Sequence, residues 1–226
     1  MKVGTDSLLL GCFAEPEHAQ HILDIGTGTG LLALMMAQKS NATIDALEID
    51  EAAYEEAKEN FGQSKWEGRL NIFHTSLQLF SLSTHQPFNS HPYDLIISNP
   101  PYFNQQRNYK IADAQRSKAR HDMDLPFEIL CDEVMKSLKD EGKFWLILPS
   151  KESDEFKMTA KENGLHLEKE IFIKPKPSKP ANRVIMCYGK LQHQTFTDEF
   201  TIYHEDGKPT EEYYLLTKDF LLWEGR

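Results

Sequence analysis

Apolar residues in the first two-thirds of the chain fall into short continuous runs separated by stretches at helical spacing. His21-Ile22-Leu23-Asp24-Ile25 predicts a short buried strand, and Leu31 to Lys39 the helix after it. Ala42 to Ile49 predicts a second strand, Glu51 to Phe61 a helix rich in Ala, Glu and Lys, and Leu70 to His74 a third strand. A polar stretch rich in turn formers, Ser81 to Pro92, leads into a fourth, Tyr93 to Ser98. Asp124 is placed to cap a helix with Pro126 in its first turn, and Phe127, Leu130, Val134 and Leu138 then share a face. Gly142 is expected to end it before a fifth strand, Phe144 to Leu148, and a helix from Glu152 to Asn163 stops at Gly164. Such alternation means parallel pairing through right-handed crossovers, hence a doubly wound α/β sheet. After Leu165 the pattern turns strand-rich, with Leu167 to Ile173, Arg183 to Leu191 and Glu199 to His204, before an aromatic helix from Tyr213 to Trp223. No repeat appears, and residues 1–226 are expected to form one domain whose C-terminal strands and helix, from about 165, complete the sheet. That sheet is expected to be Rossmann-like, mostly parallel and seven-stranded, with helices on both faces.

Between the first strand and the first helix lies Asp24-Ile25-Gly26-Thr27-Gly28-Thr29-Gly30. Glycines there let the backbone approach a ligand closely, at the end of the sheet where such folds bind ligands. Glu48 closes the second strand 24 residues after Asp24, where a carboxylate can accept both ribose hydroxyls. Asp24 precedes the first glycine, which suits a ligand carrying an amino group and a sulfonium better than a pyrophosphate. Gly28-Thr29-Gly30-Leu31-Leu32-Ala33 formally satisfies a dinucleotide fingerprint. Its first glycine starts well into the turn, however, and no acid/base set for hydride transfer follows. The cofactor expected is S-adenosyl-L-methionine rather than a nicotinamide dinucleotide.

Asn99-Pro100-Pro101-Tyr102 directly follows the fourth strand. In the usual order of such sheets that strand lies beside the first, so its end faces the glycine loop. Methyl transfer to a planar exocyclic nitrogen is hindered because the lone pair is delocalised into the ring. An Asn side-chain oxygen and the Pro100 carbonyl can each accept one amino hydrogen, and two prolines stiffen the backbone that presents them. Tyr102 offers a face on which a flipped base can stack. These residues, Asn99, Pro100 and Tyr102, are the catalytic candidates. Read in isolation the tetrapeptide is a rigid turn; its place after Asp24, the glycines and Glu48 gives it chemical meaning.

Composition adds exclusions. Cys12, Cys131 and Cys187 are widely spaced and odd in number, without a CxxC pair, so neither a disulfide framework nor a zinc site is expected. The nine histidines show no metal-ligand spacing, and no metal is expected. Thiols of this kind suit a reducing, cytoplasmic compartment. Leu8-Leu9-Leu10-Gly11-Cys12 resembles a lipoprotein cleavage box, but its apolar run is too short for a signal segment. No stretch approaches the length needed to span a bilayer, and no membrane association is expected.

Together these residues resemble the class I S-adenosylmethionine-dependent N-methyltransferases, and more closely the bacterial valine tRNA adenine-37 N6-methyltransferase family. The likeness runs over nearly the whole chain. Lys2-Val3-Gly4-Thr5-Asp6-Ser7 followed by Leu8-Leu9-Leu10-Gly11 is similar to the family's N-terminal cofactor motif, which contacts the methionine end. Ala119-Arg120-His121 and the terminal stretch Glu212 to Phe220 match as well. The resemblance implies a class I methyltransferase fold that methylates N6 of the adenine just 3′ of the anticodon in one valine tRNA. It implies a cofactor set of Lys2, Gly4, Thr5, Asp24, Gly26, Gly28, Gly30, Glu48, Ile49, Ser76 and Asn99. Two departures stand out. Members usually carry further residues ahead of the position matching Met1. They also commonly place an acid after the third strand to bind the adenine amine, where this chain has Ser76.

An RNA substrate meets an objection in the charge, which is −10, with 25 Lys and Arg against 35 Asp and Glu. Distribution answers part of it. Residues 107–121 hold Arg107, Lys110, Arg116, Lys118, Arg120 and His121 with a single acid, Asp113. Residues 174–183 hold Lys174, Lys176, Lys179 and Arg183 in a proline-rich loop with no acid. Phosphate binding needs local positive charge, so these ten residues are the candidate RNA contacts, on a protein expected to be a monomer. Nearby readings are an N-methyltransferase of protein glutamine, which usually brings an N-terminal substrate domain, or of DNA adenine, which lacks a recognisable target-reading segment here. A non-catalytic RNA-binding module is the alternative of a different class, and the intact Asn99-Pro100-Pro101-Tyr102 speaks against it.

Overall fold

In a computed structural model of the chain, residues 4–82, 92–100 and 125–223 are described. Five strands pair in parallel: β1 (His21–Ile25), β2 (Thr43–Glu48), β3 (Leu70–His74), β4 (Tyr93–Ser98) and β5 (Leu138–Pro149). Then β6 (His166–Lys174) and β7 (Arg183–Gly189) form an antiparallel pair, with β7 antiparallel to β5. Outermost, β8 (Phe196–Thr201) runs parallel to β6. The order across the sheet is β3-β2-β1-β4-β5-β7-β6-β8. This is the expected mostly parallel, doubly wound sheet, but it has eight strands rather than seven. All eight strand runs of the sequence join it; the last, predicted from Glu199 to His204, forms β8 three residues earlier, with its first four residues exposed.

Helices cover both faces. On one face lie α1 (Thr5–Phe13), α2 (Leu31–Lys39) and the C-terminal α7 (Glu211–Thr217), packed over Ile22, Ile44, Leu95, Ile97, Trp145 and Ile147. The same cluster takes Phe61 from α3 (Glu51–Gly62). On the other face, α4 (Leu77–Leu82), α5 (Phe127–Ser137) and α6 (Ser150–Glu162) pack over Leu23, Ile25, Ile96, Phe144, Leu146 and Leu148. Successive strand residues point to opposite faces, and both faces are dry. The central strands therefore read as unbroken apolar runs rather than alternating ones.

Boundaries predicted from the pattern hold for β1, α2, β3 and β4. Others moved. Gly142 does not end a helix: α5 stops at Ser137 and Gly142 lies inside β5, where a Cβ would meet Leu138 at 2.8 Å and the Tyr93 carbonyl at 2.9 Å. The aromatic tail forms a shorter helix, begun by Thr210, whose hydroxyl accepts from Tyr213 N–H at 3.1 Å. Asp124 lies outside the described residues, and Pro126 is the residue that precedes α5.

Two helices have no periodic signature in the sequence. In α1 the buried residues Leu8, Leu9, Leu10 and Gly11 are consecutive, because the helix is covered on several sides at once. It packs against α2, β5 and α7. Gly11 permits the crossing, since a Cβ there would lie 2.5 Å from the Met35 sulfur. The Lys39 ammonium, on α2, donates to the carbonyls of Gly11, Cys12 and Ala14 and so closes the C-terminus of α1. The short α4 begins at Ser76, whose hydroxyl accepts from Leu79 N–H at 3.3 Å. The resulting platform fixes the start of α1 at the end of the sheet where β1 and β4 finish level.

Candidate active site

Strand order reverses between β1 and β4: the chain winds outwards to β2 and β3 on one side, and to β5 on the other. Such a switch point leaves a crevice beyond the C-terminal strand ends. Register places Asp24 beside Ile97 and Ile25 beside Ser98, and the Ser98 hydroxyl donates to the Ile25 carbonyl at 2.9 Å. The glycine loop and Asn99 therefore leave adjacent strands at the same level.

Asp24 is fully buried. Its Oδ2 accepts from Thr27 Oγ1 at 2.6 Å and from Ala33 N–H, in the first turn of α2, at 3.1 Å. Its Oδ1 is buried with no hydrogen-bond partner among the described residues. Burial pushes the carboxyl pKa up to about 7 against the two hydrogen bonds, with the nearby Glu48 charge adding to the rise. A buried carboxylate oxygen that lacks a partner fits a cationic ligand group.

Gly26, Gly28 and Gly30 all have positive φ, at 70°, 59° and 85°. The turn is tied down by Thr27 N–H on the Leu47 carbonyl, Gly30 N–H on the Thr27 carbonyl and the Asn60 amide on the Thr29 carbonyl. Gly26 is exposed and a Cβ there would meet no atom within 4 Å, whereas at Gly30 it would lie 2.5 Å from the Phe61 ring. Gly30→Ala is accordingly expected to cost about 2–4 kcal/mol, from left-handed strain plus overpacking, and Gly26→Ala about 1–2 kcal/mol from strain alone. Denaturant midpoints check this, and equal losses at the two positions would remove the packing account.

Glu48, nearly buried at the end of β2, accepts from Gly28 N–H at 2.8 Å, Ile49 N–H at 2.8 Å and Asp50 N–H at 2.9 Å. A carboxylate offers about four acceptor sites. Three backbone donors therefore leave it room for a single further donor in this conformation, whereas the sequence reading allots it both ribose hydroxyls. Beside it, Ile49 presents an apolar side chain that is 37% exposed. The Ile49 carbonyl contacts His74 Nε2 at 3.1 Å, and the His74 ring stacks on Tyr54. Ser76 lies two residues beyond β3, with its hydroxyl capping α4.

Asn99 is half-buried and Pro100 buried. Asn99 Nδ2 donates to the Ser7 hydroxyl at 2.8 Å, a contact spanning 92 residues of sequence. Gly4 and Thr5, exposed at the start of α1, lie on the same helix as Ser7, so part of the N-terminal motif comes to the strand ends with Asn99. Lys2 and Tyr102 lie outside the described residues, as do Arg107, Lys110, Arg116, Lys118, Arg120 and His121.

The second basic stretch ends at the right place but is not a free patch. Arg183 opposes Pro149 at the C-terminal end of β5, so the β6–β7 turn shares the edge of the sheet that bears Asn99. Lys174 pairs with Glu199 at 2.6 Å, Arg183 Nε with Asp6 at 2.8 Å, and Lys176 donates to the Glu205 carbonyl at 3.1 Å. Glu205 also accepts from the backbone and side chain of Ser178, and the charges of Lys176 and Lys179 help hold its carboxyl below the usual range. The acid-free stretch of sequence thus draws acids from α1, β8 and the following loop. Thr27, Asn60 and Ser7 are further site residues that pattern reading passed over. Thr27, inside the glycine loop, and Ser7, inside the N-terminal motif, lay in stretches that pointed towards the cofactor; Asn60 had no such signal.

A parallel sheet with a glycine loop and a paired Asp24 and Glu48 at its switch point, and Asn99-Pro100 on the adjoining strand, defines a Rossmann-like methyltransferase. Among the described residues, no group of His, Cys, Asp or Glu could hold a metal ion, and no helix is long and apolar enough to cross a membrane. The chain belongs to the methyltransferase small domain family, which matches residues 2–163. Among curated proteins, it is 40% identical to the tRNA1(Val) (adenine(37)-N6)-methyltransferase of Phocaeicola vulgatus, over 98% of this chain and 91% of that protein. It is 37% identical to the protein of the same name from Bacteroides fragilis, with the same coverage. In fold it is similar to a predicted O-methyltransferase from Agrobacterium tumefaciens, with a TM-score of 0.65 at 15% identity over 97% of this chain and 98% of that one. The ribosomal protein L11 methylase of Lactobacillus delbrueckii subsp. bulgaricus matches with a TM-score of 0.55 at 17% identity, over 83% and 77% of the two chains.

Proposed function

We propose that this protein transfers a methyl group from S-adenosyl-L-methionine to N6 of an adenine in tRNA, the adenine 3′ of the anticodon in a valine tRNA. The observation that carries this reading is Asn99-Pro100 leaving β4 beside the end of β1, where Asp24 has a buried oxygen with no hydrogen-bond partner among the described residues. The curated relatives' names supply the substrate class.

When bound, S-adenosyl-L-methionine supplies a methyl group on a sulfonium, electrophilic enough that no strong general base is needed. The residues present fit it: Asp24 Oδ1 suits its amino group, the left-handed turn at Gly26 and Gly28 allows close backbone approach, and Glu48 keeps one acceptor site for a ribose hydroxyl. Ile49 can cover the adenine with an apolar surface and Ser76 can hydrogen-bond its edge. Lys2, Gly4, Thr5 and Gly30 complete the proposed cofactor set. The Asn99 side-chain oxygen and the Pro100 carbonyl accept the two amino hydrogens of the target adenine. Both acceptors pull on N–H bonds in the plane of the base, which orients the nitrogen towards the methyl group. Tyr102 stacks the flipped base. Orientation and fixed dipoles then supply the acceleration.

For RNA, phosphate contacts fall to Arg107, Lys110, Arg116, Lys118, Arg120 and His121, and to Lys176 and Lys179. Lys174 and Arg183 join them by exchanging Glu199 and Asp6 for phosphate. The protein acts as one domain, a monomer in the cytoplasm. Incubation with labelled methyl donor and total tRNA from cells lacking the enzyme, followed by mapping of the label, tests the proposal. Label in one valine tRNA at the adenine 3′ of the anticodon is expected. Label confined to protein glutamine or DNA, or no transfer at all, overturns it.

A further inference from the structure

We propose that Thr27 is a positioning residue for the cofactor, its hydroxyl holding the Asp24 carboxylate in the charged form with one oxygen left to meet the cofactor's amino group. The proposal deepens the cofactor reading of Asp24 given above and rests on it. Thr27 Oγ1 donates to Asp24 Oδ2 at 2.6 Å, and the Ala33 N–H reaches the same oxygen at 3.1 Å. Oδ1 is left buried with no hydrogen-bond partner among the described residues. The two oxygens of a carboxylate are equivalent, so half a turn of the group changes nothing: one takes the two donors and the other is presented. An ionised carboxylate only accepts, so the hydroxyl donates to it. A protonated Asp24 could meet the same hydroxyl in either sense, but as a neutral pair of roughly half the strength. The contact therefore favours the charged form whichever way the hydroxyl turns.

The charged form needs that help. Burial pushes the Asp24 pKa up, the Thr27 hydroxyl and then the Ala33 N–H lower it, and Glu48 on β2 raises it again. Beside Asp24, β4 brings Ile97 and Ser98, β2 brings Ala46 and α2 brings Ala33, none of them charged. On α1, which starts at this end of the sheet, Asp6 is paired with Arg183. Of the two donors to Asp24, the Ala33 N–H belongs to the backbone of α2, and Thr27 is the one supplied by a side chain. Its backbone is held on both sides, by Thr27 N–H on the Leu47 carbonyl at 2.9 Å and by Gly30 N–H on the Thr27 carbonyl at 3.0 Å. The left-handed Gly26 and Gly28 flank it and turn the chain back, so that its side chain reaches a residue three positions earlier. Thr27 is only 6% exposed, which leaves little room for water to replace the hydroxyl, and its branched side chain is stiff about χ1.

The test is Thr27→Val, which keeps the shape of the side chain, with Thr27→Ala as a second deletion of the hydroxyl and Thr27→Ser as the variant that retains it. Carboxyl NMR follows Asp24 through its titration in the cofactor-free protein. Calorimetry measures affinity for S-adenosyl-L-methionine at about pH 6 and about pH 9, on either side of the wild-type value of about 7. In Thr27→Val and Thr27→Ala the titration midpoint is expected to rise by about one to two units, the effect of losing a hydrogen bond to a charged group. Affinity relative to wild type should then be weaker by about 10- to 100-fold at the lower pH, where ionisation limits both proteins, and by no more than about threefold at the higher, where it scarcely does. Taking the ratio at each pH cancels the cofactor's own ionisation. Thr27→Ser is expected to stay within about threefold of wild type at both. An unmoved midpoint overturns the proposal while leaving the role of Asp24 intact. An affinity loss equal at the two pH values overturns it too, since Thr27 would then act by packing or direct contact, and so does unweakened affinity at the lower pH. Thr27→Ser binding as weakly as Thr27→Val overturns it likewise. Wild-type affinity in Asp24→Asn overturns the reading of Asp24 and, with it, this proposal.

Discussion

Asn99→Ala is expected to lower the rate of methyl transfer by at least about 10³-fold while cofactor binding survives, weakened only a few-fold by the loss of one residue of the cofactor set. The variant removes one of two acceptors that hold the adenine nitrogen in line, and its loss falls on the transition state rather than on binding. It also removes the hydrogen bond to Ser7, a contact at a half-buried position whose net contribution is about 1 kcal/mol. The fold should therefore survive with a melting temperature lowered by only a few degrees. Single-turnover transfer, calorimetry with S-adenosyl-L-methionine and thermal unfolding separate the three effects. A near-wild-type rate would sink the amine-orienting mechanism. Loss of cofactor binding would instead make Asn99 chiefly a cofactor residue.

Asp24→Asn should do the opposite to stability and equal damage to function. Asp24 is buried with its pKa raised to about 7, against 3.8 for a free side chain. Between those two values the folded, cofactor-free protein holds one more proton than the unfolded chain. Stability from this group is therefore greatest below about pH 4 and falls as the pH rises to about 7, where the full penalty of a buried charge is reached. Asn keeps an acceptor for Thr27 and carries no charge. The variant should consequently be more stable than wild type at pH 8, by roughly 2–4 kcal/mol at most, by less at pH 5, and little different at or below about pH 4. Its affinity for S-adenosyl-L-methionine should fall by about 100-fold or more, because the fixed negative partner for the cofactor's amino group is gone. In the wild type, affinity should weaken as the pH drops below about 7, approaching tenfold per unit, as Asp24 takes up its proton. An Asp24→Asn protein that binds the cofactor normally would exclude Asp24 from that role.

Much of this site is legible in the sequence because it is local. Asp24 and the three glycines lie within one turn, and Asn99 directly follows its strand. Parallel register then fixes their relation, since β1 and β4 end level. The buried strands are recognisable because both faces of the sheet are covered, which leaves no polar alternation to confuse with a surface strand. The pattern fails for α1, which is covered on several sides and so has no helical stripe. For β8, an exposed edge, it finds the strand but places it three residues late, because pairing with β6 rather than burial sets its limits.

Charge shows the division most plainly. The net charge of −10 belongs to the sequence, and the cluster of four cations between residues 174 and 183 is equally plain there. Folding brings Glu199 to Lys174, Glu205 to the Lys176 turn and Asp6 to Arg183, from segments distant along the chain. By itself the sequence determined the fold class, the glycine turn and the residue types that meet a methyl donor and a planar amine. These depend on short-range spacing and on apolar runs, which are readable one segment at a time. Only the tertiary structure decided which cations are paired, that Asp24 has a buried oxygen with no partner among the described residues, and that Ser7 meets Asn99. Each of those depends on burial and on contacts between remote segments, which exist only once the helices have closed over the sheet.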